Sequence, residues 1–513
     1  MDLNDEHNSG SETTEQTLPM GFSFVLPTEM SAEFRPLLKE SFLTVGPESM
    51  PTQTRHRLSS EVLILQRELH ESGSAMIPAD VAEFGQLQTS TATLMERPLP
   101  YFLGVELVRG KLNQVRNQLA EWESAGLQRS ATLDWDIRQA TRTFAQGMMD
   151  PWQSDASFHL NRALTLSFQA ADELIEEYTK QILALRHTRA AKLDTGWGCW
   201  LSSIPKAKEA ELFQNTFNAV RLPLRWKDIE PSEANYNWKQ LDEQVAWCLG
   251  KGLNVSVGPV VDFSPEFFPE WMETWNGDIT ALGSFVCDFV ETTIARYRGK
   301  IQNWMLCSRS NCSTCLGISE EDQIRLTARM LDAAAQIDPD SKFHIGISHP
   351  WGSYLTKPGF NYSPFVFADT LLRAGLPITS YELEWQMGSR PRGDFCRDRL
   401  DCSKILDMFG MLGLPVQVTL SYPSASTPDE WASPGERVAM AGFWRSIDEN
   451  GQALWAEAFA KLALSKPYVT GVFWDCWSDA VQHRIPHSGL LDASGTPKLA
   501  LSKLEAIRKQ HLK

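Results

Sequence analysis

Four carboxylates are the first candidates for chemistry. Glu382 and Glu384 stand two residues apart, and Gln386 follows at the same spacing. In a strand, residues i, i+2 and i+4 face one way, so these three share a side. Asp262 and Asp475 each follow a short apolar run. Paired carboxyls do general acid and base work when their surroundings separate their pKa values. Glu384 paired with Asp475 or Asp262 is therefore the candidate catalytic set. The competing reading makes them ion-pairing groups that neutralise Arg309, since buried ion pairs perturb pKa without catalysis. Cys307, Cys312 and Cys315 have the spacing C-x4-C-x2-C, that of the first three ligands of a plant-type iron–sulfur site. The nearby fourth cysteine is missing, Cys396 being the next one. The expectation is thus no metal and no cofactor. Arg390-Pro391-Arg392-Gly393, with Arg397 and Arg399, forms a local basic spot. It is read as a solvated loop that could instead meet an acidic sugar or a phosphate. His483 and His487 are read as surface-loop residues that could instead bind ligand.

The elements that must position these groups alternate in type. Short apolar runs fall at 197–201, 217–224, 254–261, 301–308, 342–348, 378–385, 415–422 and 469–477. Helical patterns cover 238–250, 280–298, 319–336, 396–411, 443–463 and 497–510. In the third of these Ser319 is the expected cap, and Ile324, Ala328 and Leu331 line one face. Eight β-then-α units within residues 193–513 predict an α/β fold, a (β/α)8 TIM barrel. Active sites of such barrels lie at the C-terminal ends of the strands, where the carboxylates fall. A doubly wound sheet is the alternative, weakened because no Gly-rich phosphate loop follows the first strand. Residues 18–100 read as a small β-sandwich-like module and 101–192 as a helical segment. Residues 1–17 read as a disordered tail.

Three stretches carry a resemblance to glycoside hydrolase family 10, the endo-1,4-β-xylanases. RWKDIEPSEANYNW (225–238), VGPVVDFSPEFFPEWM (257–272) and GVFWDCWSDA with GLLDASGTPKLALSKL (489–504) are similar to that family's second-strand, third-strand and closing motifs. The resemblance implies a TIM barrel acting on β-linked sugars. It also implies two catalytic Glu, and both are substituted. The acid/base stretch Trp-Asp-Val-Val-Asn-Glu is matched by Trp304-Met305-Leu306-Cys307-Ser308-Arg309. The nucleophile stretch Ile-Thr-Glu-Leu-Asp is matched by Val418-Thr419-Leu420-Ser421-Tyr422. Arg309 never releases its proton, and Leu420 has no nucleophilic atom. The strand 3 His gives way to Pro259. Glu384 and Gln386 fall where the family has its Gln-x-His pair. Because the family lines its cleft with indole rings, Trp197, Trp200, Trp351, Trp385, Trp474 and Trp477 are the expected sugar-stacking set. Gln386, Asn311, His349 and Tyr354 are the expected polar contacts. Two functions are carried forward: a β-glycosidase with relocated carboxylates, and a non-catalytic glycan-binding or interaction protein.

Composition narrows the partners. The chain has 513 residues, 42% hydrophobic and 22% charged, which is ordinary globular usage. At about 150 residues per domain the length suggests roughly three units. Its net charge of −16 disfavours nucleic acid and anionic membranes, and the family resemblance implies an oligo- or polysaccharide as the partner. The start lacks the basic and apolar stretches of a secretory signal, and nine cysteines are an odd number, so the expected compartment is cytoplasmic. Of 18 Trp, only Trp122, Trp135 and Trp152 precede residue 193. The aromatic excess thus belongs to the barrel.

Overall fold

The computed structural model describes residues 20–513, apart from 28, 47, 70, 154, 440 and 441. The tail expected over 1–17 lies outside the described residues. Eight parallel strands form the centre: β1 (Gly196–Trp200), β2 (Ala219–Leu222), β3 (Asn254–Val257), β4 (Asn303–Ser308), β5 (Lys342–Ile347), β6 (Ile378–Gln386), β7 (Val416–Ser421) and β8 (Val469–Trp474). Each pairs with the next, and β8 returns to β1 through Phe473 opposite Gly198, so the sheet closes. Strands covered on both faces read as continuous apolar runs. This is why all eight were visible in the sequence to within a few residues. The architecture is the expected (β/α)8 barrel.

Two details depart from the expected elements. The third run does not continue through 261. It breaks at Gly258-Pro259 and resumes at Val261–Asp262 beside β4. Proline has no N–H for the ladder. Gly258 holds φ +128°, and a Cβ there would sit 2.0 Å from the Met305 carbonyl oxygen. The short second piece is what brings Asp262 to the barrel mouth. The other departure is a set of unforeseen helices, a single turn at Trp226–Ile229 and two longer ones, Ala207–Thr216 and Pro364–Arg373. At ten residues each, the longer two hold too few turns for a periodic stripe to stand out. Elsewhere local chemistry acts as expected: the Ser319 hydroxyl accepts from the Asp322 N–H at 3.1 Å and starts Glu320–Ile337.

Residues 20–102 form two four-stranded sheets. In Val62–Arg67 alternate side chains are buried, the period-2 pattern of a strand with one face inward. Helices Leu103–Ser124, Ala131–Met149 and Ala156–Arg189 follow. The buried face of the last includes Leu164, Phe168, Ala171 and Leu174. It docks on the barrel through charge as well as packing. Arg399 binds Asp172 at 2.7 Å and Glu176 at 3.0 Å. Trp122 and Tyr178 stack at 4.0 Å and face the Lys466 ammonium, which itself binds Asp407 at 2.8 Å. Among the described residues no helix is long and apolar enough to cross a membrane.

Candidate functional site

The barrel strands bring the predicted carboxylates together at their C-terminal ends, around a residue that sequence reasoning missed. Arg484, in the loop after β8, is buried and stacks its guanidinium 4.3 Å over the Trp200 ring. Its Nη2 lies 2.6 Å from Asp262, and its Nη1 lies 3.9 Å from both Glu384 and Asp475. Arg392 approaches Asp262 at 4.0 Å and pairs closely with Glu266. Arg309 adds to the positive field at Asp262. Three guanidiniums therefore stand among four carboxylates, with Asp262, Glu384, Asp475, Arg392 and Arg484 each exposing 7% or less.

Each carboxylate is held differently. Glu384 accepts from Ser308 Oγ at 2.5 Å and from Ser348 Oγ at 2.8 Å, one bond per oxygen. Gly346 on the neighbouring strand leaves room for it, since a Cβ there would lie 3.1 Å from Glu384 Oε1. Burial would raise Asp262, but Arg484 and Arg392 outweigh it and hold the carboxyl below its ordinary range. Asp475 goes the other way: burial, with Glu384 adding to it, pushes it up to about 6 against the pull of Arg484. Gln386 reaches one Asp475 oxygen at 3.4 Å, while Oδ1 has no hydrogen-bond partner. Arg309 Nη1 and Arg484 Nη1 are likewise buried and unpartnered.

Glu382 shares the parity of Glu384 and Gln386 but serves deeper in the barrel. It binds Arg221 of β2 at 2.6 Å, with both side chains fully buried, and accepts from Thr419. Gln417 also meets Arg221 at 3.2 Å. Gln417 and Thr419 thus face the interior, and alternation turns Leu420 outward and brings Ser421 inward. Leu420 is accordingly not beside the cluster; the inward residue at the end of β7 is the buried Ser421.

The remaining predicted residues take other places. Trp197, Trp385, Trp474 and Trp477 each expose 5% or less. Trp385 packs on Phe459, Trp474 on Trp455 and Trp477 on Phe213. These rings fill the core rather than offer an open face. Trp200 is covered by Arg484, and Trp351 carries Arg397 over its ring at 5.1 Å. Asn311 ties the loop after β4 to Ser348 through bonds of 2.8 and 3.2 Å. The Tyr354 hydroxyl donates to the Tyr362 carbonyl. His349 meets Asp394 at 3.0 Å. The basic spot is not a solvated loop, because Arg392, Arg397 and Arg399 expose 7% or less. His483 is not a surface residue either: it is buried, with Nε2 on Asp429 at 2.9 Å and Nδ1 on the Val481 carbonyl at 2.7 Å.

The side chains that could ligate a metal have protein partners. Burial raises the Cys307, Cys312 and Cys315 thiols to about 12, 11 and 12, and Cys307 Sγ meets Ser310 Oγ at 3.4 Å. Cys312 and Cys315 lean on the Arg309 and Phe263 carbonyls. Another group, Cys476, Asp479 and His483, brings its ligand atoms within 4.8 Å of one another. Its atoms are already engaged: Asp479 binds Lys498 at 2.5 Å, and both His483 nitrogens have partners.

A closed parallel barrel with its buried polar cluster at the C-terminal strand ends defines a TIM-barrel protein of the layout that places function at that face. Residues 187–307, spanning β1 to β4, match the family model described as glycosyl hydrolase family 10. A 128-residue stretch is 25% identical to endo-1,4-beta-xylanase A of Fusarium oxysporum f. sp. lycopersici, covering 24% of this chain and 38% of that protein. An 81-residue stretch is 24% identical to endo-1,4-beta-xylanase 1 of Gibberella zeae, covering 16% and 22%. The chain thus spans well under half the length of these relatives. Among solved structures, xylanase 10B of Thermotoga maritima covers 63% of this chain and 98% of its own, at 14% identity and TM-score 0.47. A family 10 structure from Paenibacillus barcinonensis covers 64% and 98%, at 16% and 0.49. Over its first four strands the barrel is thus similar to glycosyl hydrolase family 10.

The raised Asp475 carboxyl has a consequence for stability. Its folded pKa, about 6, lies above the unfolded value of about 3.9. Between those values the native state binds the proton and the unfolded chain does not. Stability from this group is fully present below about pH 4 and lost as pH rises through about 6. Asp475→Asn should remove that dependence. The variant should gain about 1–3 kcal/mol relative to the parent between pH 4 and pH 7.5, read from urea unfolding at both pH values. A parent–variant difference that stays constant with pH would rule this out.

Proposed function

We propose that this barrel binds a saccharide of the class its xylanase relatives act on, and that it has lost two-carboxylate hydrolysis. One observation carries the reading: the Arg484 guanidinium stands 3.9 Å from both Glu384 and Asp475. Retaining hydrolysis needs two carboxyls about 5–5.5 Å apart with the sugar between them and an oxocarbenium-like, positively charged transition state. A buried arginine between the carboxyls, with Arg309 and Arg392 nearby, opposes that charge instead of stabilising it. The binding half of the proposal is supported by the likeness of residues 187–307 to the glycosyl hydrolase family 10 model and by Arg309 Nη1, Arg484 Nη1 and Asp475 Oδ1, buried polar atoms without hydrogen-bond partners. Titration calorimetry with xylo-oligosaccharides, run beside hydrolysis assays on xylan and aryl xylosides, tests both halves. Binding with turnover at the buffer rate is expected. Turnover above background that disappears in Glu384→Gln would sink the loss of hydrolysis.

A second reading has the Asp475 carboxyl behind it, because a pKa near 6 suits a general acid. It predicts weak hydrolysis whose rate falls as pH rises through about 6 and which vanishes in Asp475→Asn.

A further inference from the structure

A cavity of about 620 Å³, with none of Asp262, Glu384, Asp475 or Arg484 in its lining, lies in the seam between the N-terminal sheets and the barrel. Its walls come from the strands around Phe42 and Gln88 and from the loops after β5, β6 and β7. That size falls within the roughly 300–1,000 Å³ of small-molecule sites.

The charge of the walls is unlike that of the chain. Lys39, Lys357, Arg390, Arg397 and Arg437 line the cavity against two carboxylates, Glu40 and Asp394, in a molecule of net charge −16. Both carboxylates are engaged. Glu40 binds Arg390 at 2.7 Å, and Asp394 accepts from His349 and Ser353. Among the described residues, no carboxylate lies within ion-pair distance of Lys39, Lys357 or Arg437. A second, independent observation concerns buried donors. Arg397 and Gln88 are 5% and 3% exposed, and Arg397 Nε and Gln88 Nε2 have no hydrogen-bond partner. The nearest carboxylate to Arg397 is Asp401, at 3.9 Å. The two donors belong to facing segments, since the Gln88 N–H donates to the carbonyl of Cys396 across the seam at 2.9 Å. Phe42 and Phe395 supply apolar wall on either side.

We infer that this seam cavity is a binding site for an acidic saccharide, whose carboxylate or sulfate-ester oxyanion is recognised by Arg397 and Gln88. Guanidinium and amide donors together suit a planar or tetrahedral oxyanion. A neutral sugar leaves the surplus of cations unanswered, and an inorganic anion alone fills only a small part of the space. The aromatic walls suit the apolar face of a ring. The saccharide part of the inference rests on the function proposed above, while the oxyanion part stands on the wall charges and the two unpartnered donors. The basic segment 390–397 thus divides its work. Arg392 turns to the carboxylate cluster, and Arg390 and Arg397 turn to the cavity.

The test is titration of the full chain at low salt with trigalacturonate, a sulfated disaccharide, xylotriose and inorganic sulfate. At least one acidic sugar should bind tenfold or more tightly than xylotriose. That binding should weaken tenfold or more in Arg397→Gln. It should weaken comparably in the double variant Lys39→Glu/Arg437→Glu, whose positions are exposed and whose melting temperature should match the parent. Equal affinity for xylotriose and the acidic sugars overturns the inference while leaving the proposed function standing. Inorganic sulfate binding as tightly as the acidic sugars overturns the saccharide assignment. Unchanged acidic-sugar binding in the double variant overturns the location. If no sugar of either kind binds, the proposed function fails as well.

Discussion

Replacing Arg484 by Met should cost about 3–5 kcal/mol of folding stability near neutral pH, the usual penalty for removing one partner of a buried charge cluster. The variant keeps the bulk of the side chain over Trp200 and removes only the guanidinium. Asp262 loses its contact at 2.6 Å, and Glu384 and Asp475 lose the cation that both face at 3.9 Å. Arg392, at 4.0 Å from Asp262, compensates in part. The pH dependence follows from Asp262, which the arginines hold below its ordinary range. A depressed folded pKa contributes stability that is present above the unfolded value, about 3.9, and lost as pH falls through the folded one. The variant lacks most of this contribution, so the gap to the parent should be wide at pH 7 and should close only as pH falls below about 3.9 and through the depressed Asp262 value. Denaturant unfolding of both proteins at pH 7 and pH 2 reads it directly. A gap of the same size at both values would mean that packing over Trp200, not charge, is what Arg484 supplies. Adding Asp262→Asn to Arg484→Met should recover part of the loss.

How much of this was legible in the sequence depends on the range of the interaction. The strands were legible because a doubly covered strand writes itself as an apolar run, and the parity of Glu382, Glu384 and Gln386 correctly placed all three on the inner side. What each one meets was not legible. Glu382 finds Arg221 across 161 residues, and Asp262 finds Arg484 across 222, and no local pattern encodes such pairs. A weaker signal did exist at Arg221. An arginine inside the apolar run Ala219–Leu222 must have a buried partner, and Glu382 was the unpaired carboxylate of matching parity. Arg484 offered less, being one cation between two flagged histidines. Motif spacing misled at β7. It selected Leu420, whereas Gln417 and Thr419 fix the inward parity and bring in Ser421. The tryptophans misled in another way. A ring near a strand end can point to the cleft or to the surrounding helices, and Trp385 and Trp474 are packed against Phe459 and Trp455 of the helix Glu449–Ser465.

The mouth and the middle of the barrel follow one logic, in which charge replaces the bulky branched residues that usually fill such interiors. The Arg221–Glu382 pair makes this testable. Both side chains are fully buried at 2.6 Å, and the Arg221 Nε and Nη1 have no partner. Its guanidinium lies 4.8 Å over the Phe473 ring, and the polar neighbours of the pair are Gln417 and Thr419, with His344 and Ser380 beyond Gln417. Arg221→Met alone should cost about 3–5 kcal/mol, because it leaves a buried carboxylate without its cation. Arg221→Met combined with Glu382→Leu should return to within about 1 kcal/mol of the parent or exceed it, since both desolvation costs disappear while the volume is kept. The Thr419 hydroxyl and the Gln417 amide lose partners in the double variant, which limits the gain. Unfolding midpoints of the parent, both single variants and the double variant close the cycle. A double variant as unstable as Arg221→Met would show that the bonds from Glu382 and Arg221 to β7 hold the barrel together, and that charge neutralisation is secondary.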